Sequence, residues 1–259
     1  MSEGRWSDLT ARALSAVVLL AVAGTEIWLG GLWFETFIAA VSGVMVWELV
    51  RMVDPDKRGV AVQLGLLMSA AILLSWHLPV IAMMPIALAP AFVGASMVPA
   101  RRAAILGFMI WISLSGLGFI RVREGMGFDW MLWLIAVVVA TDVAGYFAGK
   151  AIGGPKFWPA ISPKKTWSGT AVGWVAAALV GAIAAAMLDR GIGLVLVSVL
   201  VSMASQAGDI VESALKRRVG VKDSSNLIPG HGGFLDRFDG MMGAATLVLL
   251  VGLFYNPGA

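Results

Sequence analysis

The chain has 259 residues, 59% of them strongly apolar or aromatic, and a mean hydropathy of +0.87. Counting glycine as apolar brings that share to about 70%, against about 45–50% in soluble domains. Charged residues make up 14%, too few to cover a globule of this size, which excludes a soluble domain, a disordered chain and a nucleic-acid-binding module. The net charge of +3 therefore needs a topological reading. The absence of cysteine excludes disulfides, a thiolate nucleophile and Cys-ligated zinc.

The N-terminal stretch MSEGRWSDLTAR carries acids beside Arg5 and Arg12, and no small-residue cleavage site ends the first apolar run. That run is expected to be a retained span, not a cleaved leader. Apolar runs of about 17–25 residues cross the bilayer as helices. Nine are expected, over 13–29, 31–52, 60–77, 79–99, 103–120, 129–149, 169–188, 191–213 and 234–255. No strand alternation speaks for a β-barrel. The expected fold is an all-α, polytopic membrane helix bundle.

Threading nine spans from an N-terminus on the cytoplasmic side puts sixteen of the 19 lysines and arginines on that side. Arg121, Arg123 and Arg190 fall on the other. Positive charge favours the cytoplasm, so the expected topology is N-in and C-out. The expected location is a membrane crossed many times, with the basic loops facing the cytoplasm. Residues 1–128 read as N-terminal helices of unassigned role, and 129–259 as a catalytic region within one integral membrane unit. The latter holds two long basic loops, 150–168 and 214–233, where function tends to sit. The tryptophans near span ends, Trp28, Trp33, Trp76 and Trp130 among them, suit an interfacial belt. The 14 methionines suit packing and lipid contact.

Carboxylates inside spans are costly and usually functional. Asp142 in span six lies eight residues before Lys150, about 12 Å along a helix. Asp209 in span eight lies seven residues before Lys216, about 10 Å. Asp236 and Asp239 begin span nine, antiparallel to span eight, so they should lie at a depth similar to that of Asp209. Asp209, Glu212, Ser213 and Lys216 form one helical stripe. Converging carboxylates repel unless cations neutralise them. The cation that best suits a few carboxylates plus phosphate oxygens is Mg²⁺, for which Asp209, Asp236 and Asp239 are the candidate ligands. The competing reading is a set of interhelical salt bridges to Lys216, Arg217 and Arg237.

The run Pro229-Gly230-His231-Gly232-Gly233 gives a backbone that a ligand can approach closely. His231 reads equally as general base, ligand contact or loop hydrogen-bonder. Ser162-Pro163-Lys164-Lys165-Thr166 places hydroxyls and ammoniums before a helix start, which suits phosphate. The plainer alternative is a basic loop lying on anionic lipid.

Residues 213–239, SALKRRVGVKDSSNLIPGHGGFLDRFD, resemble the signature of the CDP-diacylglycerol synthase (phosphatidate cytidylyltransferase) family. The matching positions are Ser213, Lys216, Arg217, Lys222, Asp223, Pro229 to Gly233, Asp236, Arg237 and Asp239. Gly208, Asp209 and Glu212 also match, as do Asp142, Tyr146, Gly149 and the 162–166 run, so the likeness covers about residues 140–240. The chain departs at Ser168, where the family often has an acidic or amide residue, and at Lys150, where it has arginine.

The resemblance implies that CTP and phosphatidic acid give CDP-diacylglycerol and pyrophosphate, with Mg²⁺ as cofactor. It implies an in-line displacement at the cytoplasmic interface, with Asp209, Asp236 and Asp239 holding one or two cations. Lys216, Arg217, Lys222 and Arg237 are then candidates for the triphosphate, with Ser162, Lys164 and Lys165 closing from the other loop. Ser213, Gly232 and Gly233 join the expected binding set. Asp142 and Asp223 are open between cytidine, ribose and a basic neighbour. A homodimer is left open. An ion- or proton-coupled transporter is the main alternative, but it calls for midplane acids and two related halves. The CDP-alcohol phosphotransferase class would need a leading D-G-x-x-A-R, which the chain lacks. A catalytically dead scaffold is the third reading.

Overall fold

A computed structural model describes residues 3–254, with side chains described from residue 13 to residue 252. Arg5 and Arg12 lie outside the described side chains. Among the described residues, nine α-helices follow in chain order: α1 Glu3–Leu29, α2 Gly31–Val53, α3 Arg58–Trp76, α4 Val80–Met97, α5 Arg102–Ile120, α6 Phe128–Ala151, α7 Trp167–Met187, α8 Gly193–Val219 and α9 Leu235–Phe254. A short 3₁₀ turn, Pro99–Arg101, leads into α5, and a π-helical turn, Arg121–Met126, continues it. The chain is thus an all-α, multi-pass bundle. Among the described residues, seven helices are long and apolar enough to cross a membrane. The apolar part of α1, Ala13–Leu29, is shorter, and α9 opens on three charges.

The first two helices part at Gly30, whose φ of +65° is left-handed. The Arg123 guanidinium stands where a side chain at Gly30 would have to go. Its Nε donates to the Ile27 carbonyl at 2.5 Å and one Nη to that of Trp28 at 3.2 Å, closing the open end of α1. Arg190 stacks on Trp130 at 5.6 Å from the ring centre. Two of the three cations expected on the sparsely charged face therefore have local structural roles.

Large apolar side chains such as Leu20, Ile81, Leu179, Ile183, Met187 and Leu196 point outward. On a bundle of this composition they are the lipid contact. One continuous core of Phe34, Leu49, Met68, Ile105, Met109, Leu134, Val201 and Met242 runs through both halves of the chain. Helices approach most closely where side chains are small. Gly208 of α8 abuts the Asp239 carbonyl of α9, and Gly243 of α9 abuts the Ala204 carbonyl of α8, with no room for a Cβ at either. This brings the two acid-bearing helices together at the depth where the carboxylates lie.

Both long loops differ from expectation. Helix α8 runs on to Val219, where Gly220 ends it in a left-handed conformation (φ +86°) with its N–H on Lys216 O. Lys216 and Arg217 are therefore helical, and the loop begins at 220 instead of 214. Hydropathy ends a span where charges begin, whereas backbone hydrogen bonding continues through them. In the other loop, β1 Lys156–Trp158 pairs antiparallel with β2 Ser162–Thr166, pairing Trp158 with Ser162 and Lys156 with Thr166. These strands are too short and polar to give an alternating pattern. Thr166 then caps α7 by accepting from the Gly169 N–H at 3.2 Å.

Candidate active site

The basic ends of α2, α6, α8 and α9, the hairpin and the 220–234 loop build the site in two layers. The buried layer holds Glu48, Glu212, Lys216 and Asp236. Lys216 and Glu212 are four apart on α8, and their charged atoms stand 2.6 Å from each other. The same ammonium donates to Asp236 Oδ1 on α9 at 2.6 Å, bridging the two helices. Asp236 Oδ2 accepts the Ser224 N–H at 2.8 Å, the Ser224 hydroxyl at 2.8 Å and the Gly233 N–H at 2.9 Å. With three donors on one oxygen, Asp236 fixes both ends of the glycine-rich loop against Lys216.

Glu48 enters from the N-terminal half. Its Oε1 accepts the Ser225 hydroxyl at 2.6 Å and the Phe234 N–H at 3.0 Å. Its Oε2 accepts the Leu235 N–H at 2.7 Å and, at 3.4 Å, the Ser224 hydroxyl. The open N–H groups at the start of α9 thus end on a fully buried carboxylate, where a negative charge is also favoured by the helix dipole. Sequence reasoning passed over Glu48 because it weighed carboxylates in the C-terminal spans alone. The signal was there, since Glu48 is an intramembrane carboxylate by the same criterion. Gly233 sits between these groups, and a Cβ there would overlap the Ser224 hydroxyl and the Glu48 carboxylate. Gly233→Ala should therefore dislodge the loop, raising the KM for substrate and lowering the thermal midpoint together. Wild-type values for both would show that the loop has slack.

The accessible layer lies over this frame and holds Asp142, Asp209, Asp239 and Lys165. Lys165 reaches from β2 to Asp209 Oδ2 at 2.5 Å, tying the hairpin to α8. Asp209 Oδ1 accepts the Ser213 hydroxyl at 3.2 Å. Asp239 lies within electrostatic reach of Asp209, Asp142 and Lys216, and Asp142 of Lys165 and Asp209. Asp239 Oδ1 accepts its neighbour's N–H, from Gly240, at 2.7 Å. Asp142 is exposed, Asp209 and Asp239 are partly so, and Asp236 is buried.

Of the salt bridges expected between helices, Lys216 makes one, to Asp236 of α9; Lys165 adds a bond from the hairpin to Asp209, while Arg217 and Arg237 make none among the described residues. Arg217, Lys222, Asp223 and Arg237 are exposed around the loop, Lys164 is exposed on the hairpin, and Ser162 is partly exposed. Gly232 is left-handed (φ +82°) and closes a tight turn through Ile228 N–H to Gly232 O at 2.8 Å. The His231 ring Nδ1 lies 2.9 Å from the hydroxyl of Ser15 on α1, which also donates to Pro229 O at 3.1 Å. Ser168, one of the positions departing from the family pattern, donates to Gly153 O and meets the Thr166 hydroxyl at 3.0 Å.

Among the described residues, no three carboxylate or imidazole side chains stand close enough to enclose an ion unaided. A cation that takes a few carboxylates and completes its shell with phosphate oxygens and water, as Mg²⁺ does, would meet Asp209 and Asp239, both partly exposed. Asp236 is buried, with three hydrogen bonds on Oδ2 and Lys216 on Oδ1 at 2.6 Å, so it would join such a shell only by giving up Lys216.

A sequence model of the cytidylyltransferase family matches residues 10–255. The phosphatidate cytidylyltransferase of Brucella suis biovar 1 (strain 1330) is 36% identical over 265 aligned residues, which cover 97% of this chain and 96% of that protein. The phosphatidate cytidylyltransferase of Helicobacter pylori (strain J99) is 35% identical, with 93% of this chain and 91% of the relative covered. That of Bacillus subtilis (strain 168) is 34% identical, with 91% and 94% covered. Likeness at this level extends through the N-terminal half, where Glu48 lies, as well as the acidic C-terminal spans. The chain belongs to the cytidylyltransferase family.

Proposed function

We propose that the protein transfers the cytidylyl group of CTP to phosphatidic acid, giving CDP-diacylglycerol and pyrophosphate at the cytoplasmic face of a bacterial inner membrane. The observation that carries this reading is the accessible layer of Asp142, Asp209, Asp239 and Lys165 on a rigid buried frame at the basic end of the bundle. A lipid phosphate lies at that depth, and a nucleotide reaches it from the aqueous side.

In the reaction a phosphate oxygen of phosphatidate forms a bond to the α-phosphorus of CTP, and the bond from that phosphorus to the bridging oxygen of the β-phosphate breaks. Pyrophosphate leaves with the electron pair. The attacking phosphate is already ionised, so no strong general base is required. Catalysis then rests on positioning and charge neutralisation. Arg217, Lys222 and Arg237, exposed around the loop, are placed to hold the triphosphate and the departing pyrophosphate. Lys164, Lys165 and Ser162 close from the hairpin, with Lys165 exchanging its bond to Asp209 for phosphate. Lys216 is only 12% exposed and paired twice, so its part is to hold α8, α9 and the loop in register. His231, engaged with Ser15, keeps the loop folded against α1. Asp209 and Asp239 would hold Mg²⁺, with Asp236 joining only if its Oδ1 left Lys216, and the ion would supply Lewis-acid neutralisation of phosphate charge.

The test is purified protein incubated with CTP labelled at the α-phosphate, phosphatidic acid and Mg²⁺. Label should pass into the lipid phase, in an amount matching the pyrophosphate released. Pyrophosphate release without lipid labelling, or no transfer beside an active control enzyme, would overturn the assignment.

A further inference from the structure

A cavity of about 810 Å³ lies around α8 from the acid cluster. At 100° per residue, Asp209, Glu212 and Lys216 share one face of α8, while Val211, Leu215 and Arg218 share a second face about 130° round the helix. The cavity opens between that second face and the start of α5. Its rim is basic, carrying Arg101, Arg102 and Arg218, all exposed. Its wall is apolar, built by Phe108, Trp111 and Leu215, with the first two rings meeting edge to face at 5.6 Å.

Two of the arginines are held in place by backbone carbonyls. Arg101 donates to Arg218 O at 3.1 Å, and Arg102 to Ala95 O at 3.0 Å. Among the described residues no carboxylate pairs with any of the three. Three guanidiniums gathered at one rim repel one another until an anion joins them, and phosphate oxygens are what their fork geometry fits. Below them the lining is hydrocarbon and aromatic, and the volume lies within the range of about 300–1,000 Å³ usual for ligand pockets. Basic pockets between membrane helices bind the headgroups of anionic lipids.

We propose that this cavity holds an acidic diacylglycerophospholipid, its phosphate on Arg101, Arg102 and Arg218 and its acyl chains along Phe108, Trp111 and Leu215. The site is separate from the acid cluster but adjoins it. Trp111 reaches to within 3.2 Å of the position a Cβ would take at Gly208, the residue before Asp209.

The experiment uses the full chain in neutral micelles, titrated with phosphatidylglycerol or phosphatidylcholine brominated in the acyl chains. Bromine quenches tryptophan on contact, and subtracting the Trp111→Phe variant isolates the Trp111 signal. Phosphatidylglycerol should quench that signal at a mole fraction about tenfold lower than phosphatidylcholine, as expected for several arginines facing one anionic headgroup. The combined Arg101→Gln, Arg102→Gln and Arg218→Gln variant should bring the two lipids to parity. Leu215→Phe, which fills the wall without altering charge or adding an indole, should weaken quenching by both lipids, so the proposal stays testable if the triple variant fails to fold. Inorganic phosphate at matched ionic strength should not displace the lipid. Equal quenching by both lipids in the wild type, a preference that survives the arginine changes, undiminished quenching in Leu215→Phe, or displacement by free phosphate would each overturn the proposal. None of these readouts depends on turnover, so the result is independent of the assigned reaction.

Discussion

Asp236→Asn should lower cytidylyl transfer by about 10²–10³-fold, the usual cost of removing a preorganised electrostatic group, and should destabilise the protein as well. The stability loss follows from the hydrogen bonds. Oδ2 accepts from Ser224 twice and from Gly233, while Oδ1 meets Lys216. An amide must point its NH₂ at one of these donors and removes the charge that balances Lys216. Breaking a buried, hydrogen-bonded ion pair costs about 3–5 kcal/mol. Thermal inactivation measured beside turnover separates the two effects. Sequence spacing by itself casts Asp236 as a metal ligand whose loss spares folding, and a variant of full stability but no activity would restore that simpler role. A variant as active as wild type would remove Asp236 from the site.

Glu48→Ala should have an effect of similar size although the residue lies in the second helix. It leaves the Phe234 and Leu235 N–H groups and the Ser225 hydroxyl facing an empty, buried space. Each unsatisfied buried group costs about 1–3 kcal/mol, partly recovered if water enters. The expected outcome is a markedly lower thermal midpoint and a raised KM for CTP, because the loop proposed to meet the nucleotide is no longer held. Glu48→Gln keeps one acceptor oxygen and should fall between alanine and wild type in KM. A positioning role predicts that graded order. Equal KM in wild type and both variants, with stability alone reduced, would leave Glu48 with a purely structural role.

The membrane bundle was legible from hydropathy because lipid requires long apolar helices with satisfied backbones. Span limits from composition match the described helices to within a few residues, except at α1, which begins at Glu3 instead of residue 13, and at α8. In α8, Lys216, Arg217 and Arg218 end the apolar run but not the helix. The i, i+3, i+4, i+7 stripe of Asp209, Glu212, Ser213 and Lys216 was readable from spacing, and the signature run marked the loop. The Lys165–Asp209 bond was not readable, because no local pattern says which acid a loop lysine will reach. Nor was the hairpin, whose few polar residues carry no alternation.

By itself the sequence determined a membrane-spanning α-bundle, a strongly basic side and a set of acids gathered in the C-terminal spans. Those properties follow from composition and from the period of one helix, which are local quantities. Only the tertiary structure decided which acids stay open to a ligand and which are enclosed. Helix contacts at Gly208 and Gly243 press α8 against α9, and Glu48 arrives from far earlier in the chain. Burial and hydrogen-bond saturation arise between helices, so they exist only once the helices have packed.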